Sequence, residues 1–417
     1  MLKTVNTQLV IVGGGSAGIA AAFSAAKAGM KVSLIERGNY LGGKATSAEV
    51  GTICGLYKYS KTNHSEYIVS GFVKDFAEEL GRLSNEDPLH NNFGLHYLPY
   101  NIDAYKELCA RLMRENQVDV FFQSEVSHIE ILGGMITAVS IKKNNRENLS
   151  IRCQAIVDCS GNSCVSELAN LPLIADNYYQ AAAQVFTVQG MATTPEPVLN
   201  LLLLRELKRG ITQGHLKEQL ERVYVVQGSV KQDTASFKLA VPLAVTHEKN
   251  NVAEIREMAV ELIHELILFL VKHVGIFRNA SLLSIAPEVG IRVGVRPVGR
   301  YILNEDDVLG CKKFDSAIAN GAWPIEEWGE GKKVKMQYFQ HDDFYQIPAD
   351  CLKSNTIKNL FFAGRNISAT SRAIASARVM GICLQTGYAA GLLAANLVAN
   401  GSEKEVISTI QKTQVFV

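Results

Sequence analysis

Residues 8 to 36 constrain the chain most. Gln8 to Val12 is a short apolar run rich in valine and isoleucine, and Gly13-Gly14-Gly15-Ser16-Ala17-Gly18 follows it directly. An alanine-rich stretch from Ile19 ends at Gly29, and Lys31 to Glu36 is a second apolar run closed by an acid. A buried strand, a helix with a glycine at its C-terminal end and a second strand are the reading this order allows, which is one right-handed βαβ unit. Gly13, Gly15 and Gly18 satisfy G-x-G-x-x-G: the first permits the tight turn, the second lets the backbone approach a bound group, and the third lets helix and strand pack closely. The opening amides of the helix, around Gly15, Ser16 and Ala17, then form an anion site.

Glu36 stands 18 positions after Gly18, where a carboxylate accepts hydrogen bonds from a ribose diol. The loop and the acid together predict dinucleotide binding, and an acid in place of a basic residue favours FAD or NAD over NADP. The segment after the acid, Arg37-Gly38-Asn39-Tyr40-Leu41-Gly42-Gly43-Lys44-Ala45-Thr46, separates those two. Its glycine doublet serves a second close approach to a long cofactor, which a nicotinamide domain does not require.

The rest of the composition narrows the class. With 417 residues, 47% apolar and 20% charged, the chain can bury a large core of two to three units. Lysine plus arginine number 42 against 41 acids, a net charge of +1, so no field gathers nucleic acid. The eight cysteines form no C-x-x-C pair or zinc spacing, and His264-Glu265 lacks the second histidine of a zinc helix because Leu268 stands there. No metal site is expected. A reduced, cytoplasmic setting is the expectation, with neither a leader at Met1 to Leu9 nor a membrane span, because charges interrupt the greasy stretch from Val252 to Phe277.

Along the chain, Val118 to Phe122 reads as a strand, Val126 to Ile131 and Ile136 to Lys142 as an antiparallel meander, and Ile151 to Asp158 as a buried strand running into Cys159-Ser160-Gly161-Asn162. The texture changes between residues 173 and 349, with strand-like pieces among helices near Leu199 to Arg209 and from Val252. From Ile357 the first pattern returns as a strand, Leu360 to Ala363, a turn at Gly364-Arg365-Asn366 and a small-residue helix from Ala375 to Val398. The expected architecture is α/β: a discontinuous nucleotide domain, residues 1–172 and 350–417, with a mixed α+β substrate domain, residues 173–349, inserted in it.

These motifs carry a resemblance. Ile11-Val-Gly-Gly-Gly15, the acid and the G-G-x-x-T run resemble the flavoprotein superfamily of glutathione reductase type, with its Rossmann-like FAD-binding domain. Arg292 to Asp307 (R-V-G-V-R-P-V-G-R-Y-I-L-N-E-D-D), Tyr345-Gln-Ile-Pro348, Asn359 to Thr370 and Ser376-Ala-Arg-Val-Met380 are similar to the family called FAD-dependent oxidoreductase. The resemblance covers both ends of the chain, and residues 175 to 280 show no family motif. It implies that Gly13, Gly15, Ser16, Ala17, Gly18, Glu36 and Arg37 hold the ADP half of FAD, and that Gly42, Gly43, Lys44 and Thr46 lie along the pyrophosphate and flavin. It also implies backbone contacts from Val126 to adenine, a turn at Ser160 and Gly161 near the cofactor, and Gly364 and Arg365 at the ribityl position, where many relatives have glycine-aspartate. A helix beginning near Ser376, with Arg378, Val379 and Met380 at its start, would aim amides and a cation at the negative charge of a reduced flavin.

Four residues are candidates for the chemistry. Arg292, Arg296 and Arg300 recur every four residues and share one side whether helical or extended, so a substrate carboxylate is expected there, with Arg296 its principal fork. Cys54 sits in a glycine-flanked segment after the flavin loop, as a redox partner, a covalent flavin attachment or a wall residue. His341 and Tyr345 could take the proton that leaves when hydride goes to the flavin. The expected function is hydride transfer between a small organic substrate, which can bear a carboxylate, and FAD, with oxygen, a quinone or a protein as acceptor. The alternatives are a flavin-dependent monooxygenase or halogenase, or a non-catalytic flavoprotein in an assembly.

Overall fold

Five parallel strands build the first sheet, in the spatial order Leu360–Phe362, Ala155–Asp158, Leu9–Val12, Val32–Ile35 and Asp119–Phe121. Four of the five are buried along their whole length, which explains why their sequences are continuous apolar runs rather than alternating ones. This is the Rossmann-like arrangement the first forty residues predict. The computed structural model describes residues 3–143, 146–176, 179–246, 249–329 and 334–415.

The helix Ser16–Lys27 packs on this sheet and on a long C-terminal helix, Met380–Val398. Ala17 and Ala21 face Gly387 and Gly391, and a side chain at either glycine would strike the carbonyl of the facing alanine. Small residues are therefore what let the two backbones touch. Met380–Val398 is long and apolar enough to cross a membrane, but 72% of that window is buried inside the protein. A second layer comes from Ser124–Leu132, Met135–Lys143 and Arg146–Arg152, antiparallel, with Lys3–Asn6 added in parallel at the edge.

Between these pieces lies a second, fully antiparallel sheet, ordered Val223–Val225, Ala235–Ala240, Ala183–Gln189, Ser281–Ile285. One face is core: Phe186 and Phe237 stack at 5.5 Å beneath the helices Glu196–Thr212 and Lys249–His273. The alternation of strand side chains puts Val185 and Lys238, which are cross-strand partners, on the other face. The chain leaving Ser281–Ile285 runs along the first lobe, where the Glu288 amide donates to the Ser47 carbonyl at 2.8 Å.

Two expectations need correction. The stretch 317–349, grouped with the insertion on texture, packs on the nucleotide lobe: Ala317–Gly321 pairs with Tyr345–Pro348, and Asn320 and Gln385 exchange two hydrogen bonds, at 2.8 and 2.9 Å. The small-residue helix is also not continuous. Ser371–Ala377 ends at Arg378, Val379 is extended (φ −68°, ψ 151°), and a new helix starts at Met380. Gly381 presses on the Gly55 carbonyl, where a Cβ would come within 2.6 Å of the oxygen, so the second helix must start as a separate segment set against residues 54–55.

Candidate active site

Gly13 has φ +97°, a left-handed conformation that glycine alone adopts without strain. Its amide donates to the Ile35 carbonyl at 2.8 Å, tying the turn to the second strand. Gly18 packs so tightly on the Gly13 carbonyl that no side chain fits there. The glycine doublet lies across the loop: the Gly42 amide donates to the Gly14 carbonyl at 2.8 Å, and a Cβ on Gly43 would stand 2.8 Å from the Gly15 Cα. Helix Ser16–Lys27 starts at Gly15 with no side-chain cap and no acid in its first turn, so its positive end is left for an anion. Glu36, 7% exposed, accepts from the Gly14 amide at 2.7 Å with one oxygen and from the Gly38 amide at 2.6 Å with the other. Each oxygen keeps a lone pair for a sugar hydroxyl.

Cations border this groove. Lys44 donates to Glu288 at 2.6 Å and to the Val289 carbonyl at 2.9 Å, and Arg37 reaches the same carboxylate at 3.1 Å. Burial alone would raise the Glu288 carboxyl, but Lys44 and Arg37, with a hydrogen bond from Ser47, hold it down at about 2. Burial pushes the Lys44 ammonium down to about 8 against the pull of Glu288, with Arg37 and Arg365 repelling it. Arg365 is also held below its ordinary value by burial. It lies over Gly161 and donates to the Ile291 carbonyl.

A buried knot fixes the turn beside it. Asp158 accepts from the Ser160 amide at 3.0 Å, the Val165 amide at 3.0 Å and the Asn366 side chain at 2.7 Å. Thr46 is folded back on the Leu41 carbonyl at 2.9 Å. Val126 lies two residues beyond Ser124, whose amide donates to the Glu36 carbonyl at 3.0 Å, and packs with the cluster of Val10, Val12 and Ile35.

Further in, where the second sheet faces the helix break, five polar side chains from distant segments meet around Trp328. Lys238 stands 4.7 Å and the Arg292 guanidinium carbon 4.1 Å from the Trp328 ring centre. Glu326 accepts from the indoles of Trp328 at 2.8 Å and Trp323 at 3.1 Å, and lies 3.9 Å from Arg378. Burial would raise the Glu326 carboxyl, but Arg378, Lys238 and Arg292 around it hold it below its ordinary value. Burial pushes the Lys238 ammonium down to about 8, with Arg292 adding repulsion. Cys54 borders this group, and burial, with Glu326 adding, pushes its thiol up to about 12.

The structure redistributes the sequence-predicted chemical residues. The three arginines do not converge. Arg292 joins the cluster at Trp328, while Arg300 is exposed. Arg296 is fully buried and spends its guanidinium on Asp176 (2.9 Å), Ser371 (2.9 Å) and the carbonyls of Ala369 (2.9 Å) and Gly294 (2.7 Å). It is an internal clamp, because the stretch is neither helical nor a long strand and successive side chains diverge. Tyr345 is fully buried with its hydroxyl on Ser376, and burial raises its phenol well above the ordinary value. His341 stacks on Tyr59 at 4.2 Å and lies beside Gly94, with none of the clustered charges among its contacts. Cys54 is placed at the cluster but held as a thiol, not a nucleophilic thiolate.

Lys238, Glu326 and Trp328 were missed. The signals were a lone cation in the strand Ala-Ser-Phe-Lys-Leu-Ala and both of the chain's tryptophans flanking two glutamates in Trp-Pro-Ile-Glu-Glu-Trp. Among the described residues, no three histidine, cysteine, aspartate or glutamate side chains gather as a metal site.

Loop, acid and sheet define a dinucleotide-binding α/β protein of the flavoprotein kind. The sequence matches the model of the FAD dependent oxidoreductase family over residues 8–415, and the chain belongs to that family. FAD is its cofactor. No functionally curated protein matches the sequence. Among solved structures, it is similar to a geranylgeranyl bacteriochlorophyll reductase-like protein from Thermoplasma acidophilum (13% identity, 98% of this chain and 83% of that one, TM-score 0.48). A flavin-dependent brominase aligns with 12% identity over 98% and 83% of the two chains (TM-score 0.47). A myxobacterial chondrochloren halogenase aligns with 13% identity over 98% and 78% (TM-score 0.42).

Proposed function

We propose that this oxidoreductase binds an organic substrate in the seam between the nucleotide lobe and the Lys238 face of the second sheet, and uses molecular oxygen there as a monooxygenase or halogenase does. The observation that carries the reading is the composition of the seam. Of the groups hydride abstraction would use as proton acceptors, Tyr345 is held by Ser376, and His341 stacks on Tyr59 with its buried Nε2 unpartnered among the described residues. What lines the seam is the Cys54 thiol, the Glu326 carboxylate and the side chains of Lys238, Arg292 and Arg378 around Trp328.

The residues of the groove fit FAD: an uncapped helix start for its diphosphate, glycines at 15 and 43 where a Cβ would close the approach, and an anchored carboxylate for its ribose. Glu36 would hold the ribose, the Gly15 to Ala17 backbone the diphosphate, with Lys44 and Arg365 beside it, and the helix start at Val379 and Met380 the ring. Bound FAD supplies two-electron redox chemistry. Glu326 fixes Trp328 through its indole, and Trp328 in turn faces Lys238 and Arg292. The cations stabilise negative charge that develops beside them, most strongly where water is excluded.

A second reading is dehydrogenation with Lys238 as proton acceptor. It is favoured by the fall of that ammonium to about 8, within reach of a working general base. Anaerobic mixing of the oxidised holoenzyme with a panel of organic acids, phenols and amines separates the two. Oxygen transfer predicts that no substrate bleaches the flavin without air, and that chemically reduced enzyme then puts oxygen-18 from labelled gas into product or halogenates it. Direct anaerobic bleaching by a substrate would replace this reading with dehydrogenation.

A further inference from the structure

Lys238, Arg292 and Arg378 come from a strand of the second sheet, the segment after it and the break between two C-terminal helices, and Glu326 is the one carboxylate among them. Three cations against one anion is a poor structural ion cluster, since an unpaired buried charge is costly and natural interiors pair their charges. Lys238 makes no hydrogen bond or ion pair among the described residues, and its only close neighbour of that kind is the Trp328 ring. Arg292 donates one guanidinium nitrogen to the Ala181 carbonyl and lies against the same ring. Arg378 donates one nitrogen to Gln180 (3.1 Å) and the Glu326 carbonyl (3.3 Å), while its buried Nε has no partner. Its side chain is 11% exposed and that of Glu326 18%, so the group is largely but not wholly withdrawn from solvent. Donors outnumber acceptors in the group, and its net charge is suited to an anion.

We propose that Lys238, Arg292 and Arg378 form the recognition site for a carboxylate group on the substrate, seated against the Trp328 ring. This rests on the reading that the substrate occupies the seam. Arginine forks match a carboxylate's two oxygens, and a lysine supplies a point charge to the same group. The partial burial of these cations makes a matching anion bind there more strongly than on the surface. Glu326, which the Trp323 and Trp328 indoles hold, occupies one side of the cluster and excludes ligands of higher negative charge.

The test uses the FAD-loaded protein and two pairs of probes, benzoate with neutral benzamide and acetate with acetamide, followed by calorimetry and by perturbation of the flavin spectrum. The carboxylates bind saturably and the amides do not. Lys238→Met weakens benzoate about tenfold or more, the loss of one charge-assisted hydrogen bond, while Lys238→Arg keeps most of the affinity, and both variants retain FAD. The charged groups facing Lys238 are Arg292, Glu326, Cys54 and Arg378. Since the lysine is charged only below about 8, benzoate binding falls as pH rises through that value, and Lys238→Met abolishes the fall. Equal binding of benzamide and benzoate, or unchanged affinity in Lys238→Met, overturns the site. Carboxylate binding without oxygen transfer would keep this proposal and sink the reaction reading, and oxygen transfer into neutral substrates alone would do the reverse.

Discussion

The phenol oxygen of Tyr345 lies 2.7 Å from the hydroxyl oxygen of Ser376, in the last turn of the short helix that ends at Arg378. Ser376 also donates to the Trp323 carbonyl. One hydroxyl thus ties the strand Tyr345–Pro348, the tryptophan segment and the helix together, and the position of the Arg378 guanidinium follows from that tie. Tyr345 is a positioning residue at one remove from the cluster.

Tyr345→Phe removes one buried hydrogen bond and costs about 1 kcal/mol of stability, read as a lower midpoint in denaturant unfolding. FAD content and the pH profile of turnover stay as they are, because the phenol exchanges no proton with substrate. A shifted pH profile at unchanged stability would return Tyr345 to the chemistry.

Glu36→Gln keeps the shape of the proposed ribose site but removes the charge that two backbone amides address. FAD affinity falls by about 2 kcal/mol, the value of hydrogen bonds to a charged group, measured by titrating apoprotein and following flavin fluorescence. Affinity equal to the parent would place the adenosine ribose elsewhere.

Arg296→Met leaves the carbonyls of Ala369 and Gly294 and the carboxylate of Asp176 without their donor. The expected loss is about 3 kcal/mol or more, as for breaking a buried pair from one side. A variant as stable as the parent but inactive would contradict the clamp and make Arg296 a substrate ligand.

The Cys54 thiol, pushed up to about 12, is protonated across the physiological range. Its alkylation by iodoacetamide, followed site by site with mass spectrometry, rises about tenfold for each pH unit up to about pH 10 without levelling, since only the thiolate reacts. Levelling near pH 8 would mark an activated thiolate. Cys54→Ala retains FAD.

What the sequence determined by itself is the nucleotide half. The loop at Gly13 to Gly18, the acid at Glu36 and the doublet at Gly42-Gly43 are close in the chain, and their spacing encodes one strand, one turn and one helix whose geometry follows from local rules. The tail motifs likewise place the returning strand at Leu360. The seam was decided only by tertiary structure. Cys54, Lys238, Arg292, Glu326 and Arg378 lie on five separate segments, and no periodicity relates them. Equal spacing made Arg292, Arg296 and Arg300 look like partners, yet packing sends one to the seam, one into a buried clamp and one to solvent. Where a side chain ends up in such a stretch depends on which lobe its backbone leans against, and that contact is non-local.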